Sequence, residues 1–151
     1  MAGFKVLGTN HTSFVVSELD RTLAFFTGVL GFTATEKRPR GRAVVQGVTG
    51  VSDAEILVAF VDGPGHRVEL IEYSGPPDRG RVEARPCDTG ATHIAFNVDD
   101  IEAAIAASEG AGYRPLGAIQ VTDDGPNKGS RIVYMRDADG ITIEYIQPPL
   151  R

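Results

Sequence analysis

The chain has little cysteine, no tryptophan and no long apolar run. Its 151 residues include one cysteine, Cys87, so an internal disulfide is excluded, and we expect a cytoplasmic protein in which Cys87 has no catalytic role. No apolar stretch approaches the length of about 20 residues that a membrane span needs, and the N-terminus lacks the basic-then-apolar pattern of a signal peptide. Basic residues are not in excess either, since the net charge is −5. We therefore expect neither a membrane nor a nucleic acid as a partner.

What is present is typical of a globular protein. Hydrophobic residues make up 42% of the chain and charged residues 23%. The length suits one compact domain or two small modules. Many of the 18 glycines lie in turn-like clusters, as in residues 62–65 and 137–140. Clusters of this kind between short apolar segments predict a β-rich fold.

The two halves of the chain repeat each other. Each half opens with a histidine in an alternating, strand-like segment and closes with a glutamate in another. The offset shrinks along the chain, so the loops differ in length while the framework persists, and this self-similarity predicts two equivalent modules. The matched segments are 11–16 and 93–98 (offset 82, from 93 minus 11), 31–32 and 112–113 (offset 81), and 65–71 and 140–146 (offset 75).

Periodicity predicts the order β-α-β-β-β in each half, with a first module at residues 1–73, a connection at 74–91 and a second module at 92–151. We predict an irregular edge or loop at 36–52. The predicted elements are strands at 10–16, near 32, 56–61 and 67–73 with a helix between 17 and 31, then strands at 92–98, near 117–122, 131–136 and 141–146 with a helix at 100–110.

The predicted helices carry N-cap signals. Ser17 with Asp20, and Asp99 with Glu102, have the three-residue spacing of a capping box. Gly31 is expected to end the first helix.

Four residues fall where a metal site would use them: His11, Glu69, His93 and Glu144. Strand alternation places each of them away from the more apolar face of its strand. Two imidazoles and two carboxylates suit a divalent cation such as Zn, Ni, Co, Mn or Fe(II). A glutamate inside the apolar closing strand also needs a partner if it is buried. His66 is predicted to be a solvated turn residue, and Glu72 a surface or strand-end residue.

These segments resemble the vicinal oxygen chelate superfamily, which includes glyoxalase I, methylmalonyl-CoA epimerase, extradiol dioxygenases and proteins of bleomycin or fosfomycin resistance. The resemblance covers about residues 8–148 and is carried by residues 11–32, 92–101 and 137–144. It implies an α+β fold in which two tandem β-α-β-β-β modules form a concave mixed sheet. It also implies that His11 and His93 are first-strand metal ligands and that Glu69 and Glu144 are fourth-strand ligands.

The resemblance also implies a reaction class. Extradiol dioxygenases resemble this chain at two histidines and the final glutamate, so Glu69 favours the glyoxalase I and methylmalonyl-CoA epimerase branches. In those branches the metal polarises a carbonyl and a glutamate moves a proton on the adjacent carbon. We therefore expect a metal-dependent isomerase, epimerase or lyase with Glu144 or Glu69 as the base. Glu55 is a candidate second base by its resemblance to the epimerases.

Two alternatives stay open. One is an Fe(II) extradiol-type dioxygenase, which needs Glu69 to be free of the metal. The other is a non-catalytic binding or resistance protein, because fold resemblance alone does not define activity. The resemblance implies a homodimer and a small-molecule substrate. That substrate is anionic if a basic cluster binds its phosphate or carboxylate group, although such clusters are more often solvated loops. The cluster consists of Lys37, Arg38, Arg40 and Arg42.

Overall fold

A computed structural model describes residues 3–150, so the predicted module ends at residues 1, 2 and 151 lie outside the described residues. The chain divides into two compact units, one ending at Asp78 and the other beginning at Arg79. No helix in residues 3–150 is long and apolar enough to cross a bilayer.

The first unit is a five-stranded mixed sheet with two helices. The sheet has the strand order β1-β5-β4-β2, and β3 also pairs with β4. β1 runs parallel to β5, and the other pairs are antiparallel. The elements are β1 (Thr12–Val16), α1 (Leu19–Gly28), β2 (Thr33–Ala34), β3 (Arg38–Arg40), α2 (Arg42–Thr49), β4 (Glu55–Gly63) and β5 (His66–Gly75).

The second unit repeats this plan with one helix. Its sheet has the strand order β6-β10-β9-β7, and β8 also pairs with β9. β6 runs parallel to β10, as β1 does to β5. The elements are β6 (Ile94–Asn97), α3 (Ile101–Gly110), β7 (Arg114–Pro115), β8 (Gln120–Val121), β9 (Arg131–Arg136) and β10 (Thr142–Gln147).

The predicted α+β architecture and the repeated β-α-β-β-β order are confirmed, with the second strand of each unit broken into two short strands. The segment 36–52, predicted as an irregular edge or loop, holds the short strand β3, which pairs with β4, and the helix α2, which was not predicted. The helix begins after Gly41, buries Val45 and ends at Gly50, whose φ of 71° suits a helix C-cap. The helical spacing of the valines was obscured by the charged and glycine residues around them.

Each sheet has one apolar face, and the helices α1 and α3 contribute buried residues beside it. In the first unit, Val68 and Leu70 of β5 are fully buried, as is Phe26 of α1. In the second, Ile143 and Tyr145 of β10 hold the equivalent positions. Strand alternation therefore sends the intervening residues of β5 and β10 to the opposite face.

The helix caps differ from the prediction. The N-cap residues are Glu18 and Asp100, not Ser17 and Asp99. Asp100 accepts a hydrogen bond from the backbone N–H of Ala103, at 2.9 Å, whereas Glu18 makes no capping bond with its side chain. The capping-box spacing was misleading because side chains of β5 and β10 accept hydrogen bonds from the first N–H groups of α1 and α3.

Glu72 of β5 caps α1 from outside the helix. Its carboxylate accepts a hydrogen bond from the N–H of Leu19 at 2.7 Å. In the second unit, the side-chain oxygen of Gln147 accepts from the N–H of Ile101 at 3.3 Å. Glu72 and Gln147 are 75 residues apart, so the repeat includes this contact. Glu72 is therefore a helix-capping residue that was predicted only as a surface or strand-end position.

We expect Glu72→Ala to destabilise the protein by about 1–2 kcal/mol, because the first turn of α1 loses a charged acceptor. Urea unfolding followed by circular dichroism measures the change. Glu18→Ala is the matched control and should stay within about 0.5 kcal/mol of the wild type. Equal losses in the two variants would contradict the capping role of Glu72.

Candidate metal centre

The first predicted pair, His11 and Glu69, meets at the start of the β1–β5 ladder. Glu69 pairs with Ser13 in the parallel register, and His11 lies two residues before Ser13, so the two side chains project to one face. The Nε2 atom of His11 lies 3.3 Å from Oε2 of Glu69. The register places Glu69 on the face opposite Val68 and Leu70, and the contact with Glu69 brings His11, which lies one residue before β1 and not within a strand as predicted, to the same face.

The second pair, His93 and Glu144, has the same arrangement. Glu144 pairs with Ala95 of β6, and His93 lies two residues before Ala95. The Nε2 atom of His93 lies 3.2 Å from Oε2 of Glu144. The carboxylates are the more buried partners, with side-chain exposures of 18% for Glu69 and 14% for Glu144, against 33% and 41% for the histidines.

An aromatic ring from the neighbouring strand flanks each pair. Phe60 of β4 lies opposite Glu69 in the register and touches the ring of His11 edge-on, with 5.7 Å between centroids. Tyr134 of β9 lies opposite Glu144, and its ring centroid is 4.9 Å from that of His93. Burial raises the pKa of the Tyr134 phenol, and the charge of Glu144 raises it further. These two rings were not predicted, although they occupy equivalent positions in the register of the two sheets.

The orientation of His11 leaves its Nε2 atom facing the carboxylate. Nδ1 of His11 lies 2.7 Å from the side-chain oxygen of Asn10, an acceptor, so Nδ1 carries the proton and donates it. In the neutral ring, Nε2 then presents a lone pair toward Glu69. Two electron-rich atoms at 3.3 Å need a cation or a shared proton between them. An outer hydrogen bond that fixes the tautomer is typical of metal-ligating histidines.

The spacing of each pair fits coordination of one ion. Two ligand atoms that each lie about 2.1 Å from a metal are about 3.0 Å apart at a right angle and about 3.4 Å apart at the tetrahedral angle. The observed separations of 3.3 and 3.2 Å fall within that interval. The donor set therefore fits a divalent ion in chemistry and in spacing. Within residues 3–150, no group of three or more His, Cys, Asp or Glu side chains lies close enough to hold a metal ion, so the spacing that suits a metal is a property of each pair within its own unit.

The other predicted site residue, Glu55, lies apart from the first pair. It begins β4, whereas Phe60, five residues later, is the residue that pairs with Glu69. Its carboxylate forms an ion pair with Arg42 and accepts a hydrogen bond from Ser74 at 3.5 Å. The structure therefore brings Glu55 to Arg42 and not to His11 and Glu69.

His66 is also engaged elsewhere. Its Nε2 atom shares a hydrogen bond with the hydroxyl of Thr12 at 2.9 Å. It is half-buried at the first position of β5, so the prediction of a solvated turn residue was wrong. A ring held by a hydroxyl on the neighbouring strand is a structural contact.

Known proteins share this sequence pattern. The model of the Glyoxalase/Bleomycin resistance protein/Dioxygenase superfamily matches residues 8–145. A 2-epi-5-epi-valiolone epimerase from Actinomyces sp. is 31% identical over 149 residues, which are 95% of this chain and 80% of the relative. A lactoylglutathione lyase from Haemophilus influenzae is 31% identical over 144 residues, which are 91% and 90% of the two chains.

A solved structure shares the fold over nearly the whole length. A glyoxalase family protein from Bacillus cereus superposes with a TM-score of 0.82 and 26% identity, covering 97% of each chain. The family match spans both units and all four of the residues in the two His–Glu pairs. The chain therefore belongs to the glyoxalase/bleomycin resistance protein/dioxygenase superfamily.

Proposed function

We propose that this protein is a divalent-metal-dependent isomerase, epimerase or lyase that transfers a proton at the carbon next to a carbonyl or thioester. The observation that carries the proposal is the pair of His–Glu contacts at 3.3 and 3.2 Å, which occupy equivalent positions of two repeated sheets. The same contact recurs in both sheets with a partly buried carboxylate, which favours a functional role for the two pairs.

His11 with Glu69 in the first unit, and His93 with Glu144 in the second, would each supply two ligands to a divalent ion. When bound, the ion would polarise the substrate carbonyl and favour loss of the neighbouring proton. A mixed set of nitrogen and oxygen ligands suits Zn, Ni, Co, Mn and Fe(II). Elemental analysis of the purified protein identifies which of these metals is bound.

Glu144 or Glu69 is proposed as the base that moves the proton. A carboxylate within hydrogen-bond reach of the reacting carbon accepts the proton and returns it to the product. Phe60 and Tyr134 lie opposite the two carboxylates in the strand register and contact the two histidines, so they border the place where the reacting carbon would lie. Glu55 is left out of this scheme because its carboxylate is paired with Arg42.

Relatives support the same general chemistry. One is named as an epimerase and the other as a lyase, and each is 31% identical to this chain. The dioxygenase alternative requires Glu69 to be free of the metal. The contact of Glu69 with His11 matches that of Glu144 with His93, which favours the isomerase, epimerase or lyase.

The test is hydrogen exchange with solvent. Protein reconstituted with each candidate metal is incubated in D₂O with a hemithioacetal of methylglyoxal, an acyl-CoA with an acidic α-hydrogen, a cyclitol ketone or a three-carbon ketone phosphate. Mass spectrometry should detect one deuterium at the carbon next to the carbonyl of at least one substrate.

Glu69→Gln and Glu144→Gln should slow this exchange by about 100-fold or more, the range of a lost general base. Glu83→Gln, an exposed carboxylate, is the matched control. Exchange into none of the substrates would overturn the proposed reaction.

A further inference from the structure

The predicted basic cluster separates into two groups in the structure. Lys37 binds Asp20 through two contacts at 2.7 and 2.9 Å. Arg42 is paired with Glu55, and its guanidinium also lies 3.5 Å from Asp53. These two cations are therefore neutralised by acidic neighbours.

Arg38 and Arg40, in contrast, line a cleft of about 470 Å³. The floor includes the apolar side chains of Val58 and Phe60. A concave surface with an apolar floor and a few polar groups is the usual form of a small-molecule site. Thr35 and Glu36 complete the lining.

The cleft lies on the same face of the first sheet as the His11–Glu69 pair. Arg38 pairs with Val58, and Arg40 with Ile56, so both arginines share the face of Val58 and of Phe60, two residues on. Phe60 in turn pairs with Glu69. Phe60 therefore touches His11 at one end and lines the arginine cleft at the other.

Strand geometry gives the span of this surface. Two strand spacings of about 4.8 Å and two residues of about 3.3 Å separate the Cα atoms of Glu69 and Arg38, which places them about 12 Å apart. Arg40, two residues further along β3, is about 16 Å away by the same geometry. The long side chains of the arginines shorten both of these distances from Glu69. A substrate of a few carbon atoms can therefore bridge the carboxylate and a guanidinium.

The charges in the cleft are unequal. Arg38 lies 3.1 Å from the carboxylate of Glu36, in a pair whose side chains are 69% and 83% exposed. Such an exposed pair is weak and opens readily. Arg40 makes no ion pair with any acidic side chain in residues 3–150. The cleft thus holds one uncompensated guanidinium and a second that an anion can recruit.

We propose that this cleft binds the phosphate group of a small phosphorylated substrate whose carbonyl lies at the His11–Glu69 end of the same face. Two guanidiniums suit a dianionic phosphate, because each presents a fork of donors to its oxygens. This assignment rests on the proposed function, since it describes the second end of the same substrate. It also makes phosphate, and not a neutral group, the determinant of substrate choice.

The experiment is calorimetric titration of the EDTA-treated full chain with glycerol 3-phosphate, so that binding is measured without any metal. Saturable binding is expected. Glycerate, with a single charge, should bind at least threefold more weakly. Glycerol, which is uncharged, should give no measurable heat of binding. Equal affinity for glycerate would overturn the choice of phosphate, and no saturable binding of glycerol 3-phosphate would overturn the subsite.

Three variants are expected to change the affinity for glycerol 3-phosphate in different ways. Arg40→Gln should weaken glycerol 3-phosphate binding by roughly tenfold or more, the usual size of a lost charge-assisted hydrogen bond. Glu36→Gln should strengthen it severalfold, because Arg38 is released. Arg42→Gln is the matched control, since it removes the same charge from a guanidinium that Glu55 already neutralises. An equal loss in Arg40→Gln and Arg42→Gln would indicate general charge attraction and overturn the subsite.

Failure of this proposal is distinguishable from failure of the proposed reaction. Deuterium exchange into an unphosphorylated substrate, together with no phosphate binding, would overturn the subsite alone. Phosphate binding to the metal-free protein, together with no exchange into any substrate, would overturn the reaction and leave an anion-binding protein.

Discussion

His11→Ala is expected to lower the divalent-metal content of the purified protein to less than one tenth of the wild-type value. Loss of a ligand removes a bond to the ion, and even loss of an outer hydrogen bond to a ligand typically costs 10–100-fold in affinity. The same result is expected for Glu69→Ala, His93→Ala and Glu144→Ala. Elemental analysis of protein prepared without chelator measures the content.

Two further variants sharpen this test. Asn10→Ala should weaken metal binding by about tenfold, because His11 loses the acceptor that orients its ring. His66→Ala is the matched control, since His66 bonds Thr12 and should leave the metal content unchanged. A wild-type protein that holds no metal after reconstitution would contradict the metal centre. Iron that is retained by Glu69→Ala would favour the dioxygenase.

Phe26→Ala is expected to destabilise the protein by about 3–5 kcal/mol, which is the usual cost of deleting a buried aromatic ring. Phe26 is 0% exposed. Its ring makes T-shaped contacts with Phe25 and Phe32, at centroid distances of 5.7 and 5.5 Å. Much of the apolar contact between α1 and the sheet would be lost, since α1 is only 10 residues long.

Urea unfolding measures this loss, and Phe4→Ala is the control. Phe4 is 77% exposed, so its removal should change the free energy of unfolding by less than about 0.5 kcal/mol. Phe26→Leu should recover most of the stability, because it refills much of the cavity. Similar losses for Phe26→Ala and Phe4→Ala would contradict the assigned core.

The repeat and the strand alternation were enough to predict the architecture and the sheet face on which the candidate glutamate ligands lie. Glu69 shares a face with Ile71 and lies opposite Val68 and Leu70, as alternation requires. The equal arrangement of Glu144 follows from the same period of two. These features are local, because the direction of a strand side chain depends only on its position in the strand.

Other features depended on contacts between residues distant in the chain. The α2 helix was not predicted, since only Val45 of its residues is buried and its charged and glycine residues are typical of a loop. Glu72 caps α1 across 53 positions of sequence, which no capping pattern encodes. The pairing of Arg42 with Glu55, which Arg40 does not share, also depends on residues that are distant in the chain.

The sequence by itself therefore determined the family, the two modules and the chemical identity of the four candidate ligands, because repeats and residue types are written along the chain. The tertiary structure alone decided which side chains flank them and which cations are neutralised. Phe60 reaches His11, and Glu55 reaches Arg42, only once β3, β4 and β5 pair in register. Ring contacts and charge compensation depend on distances between side chains, and those distances exist only in the folded chain.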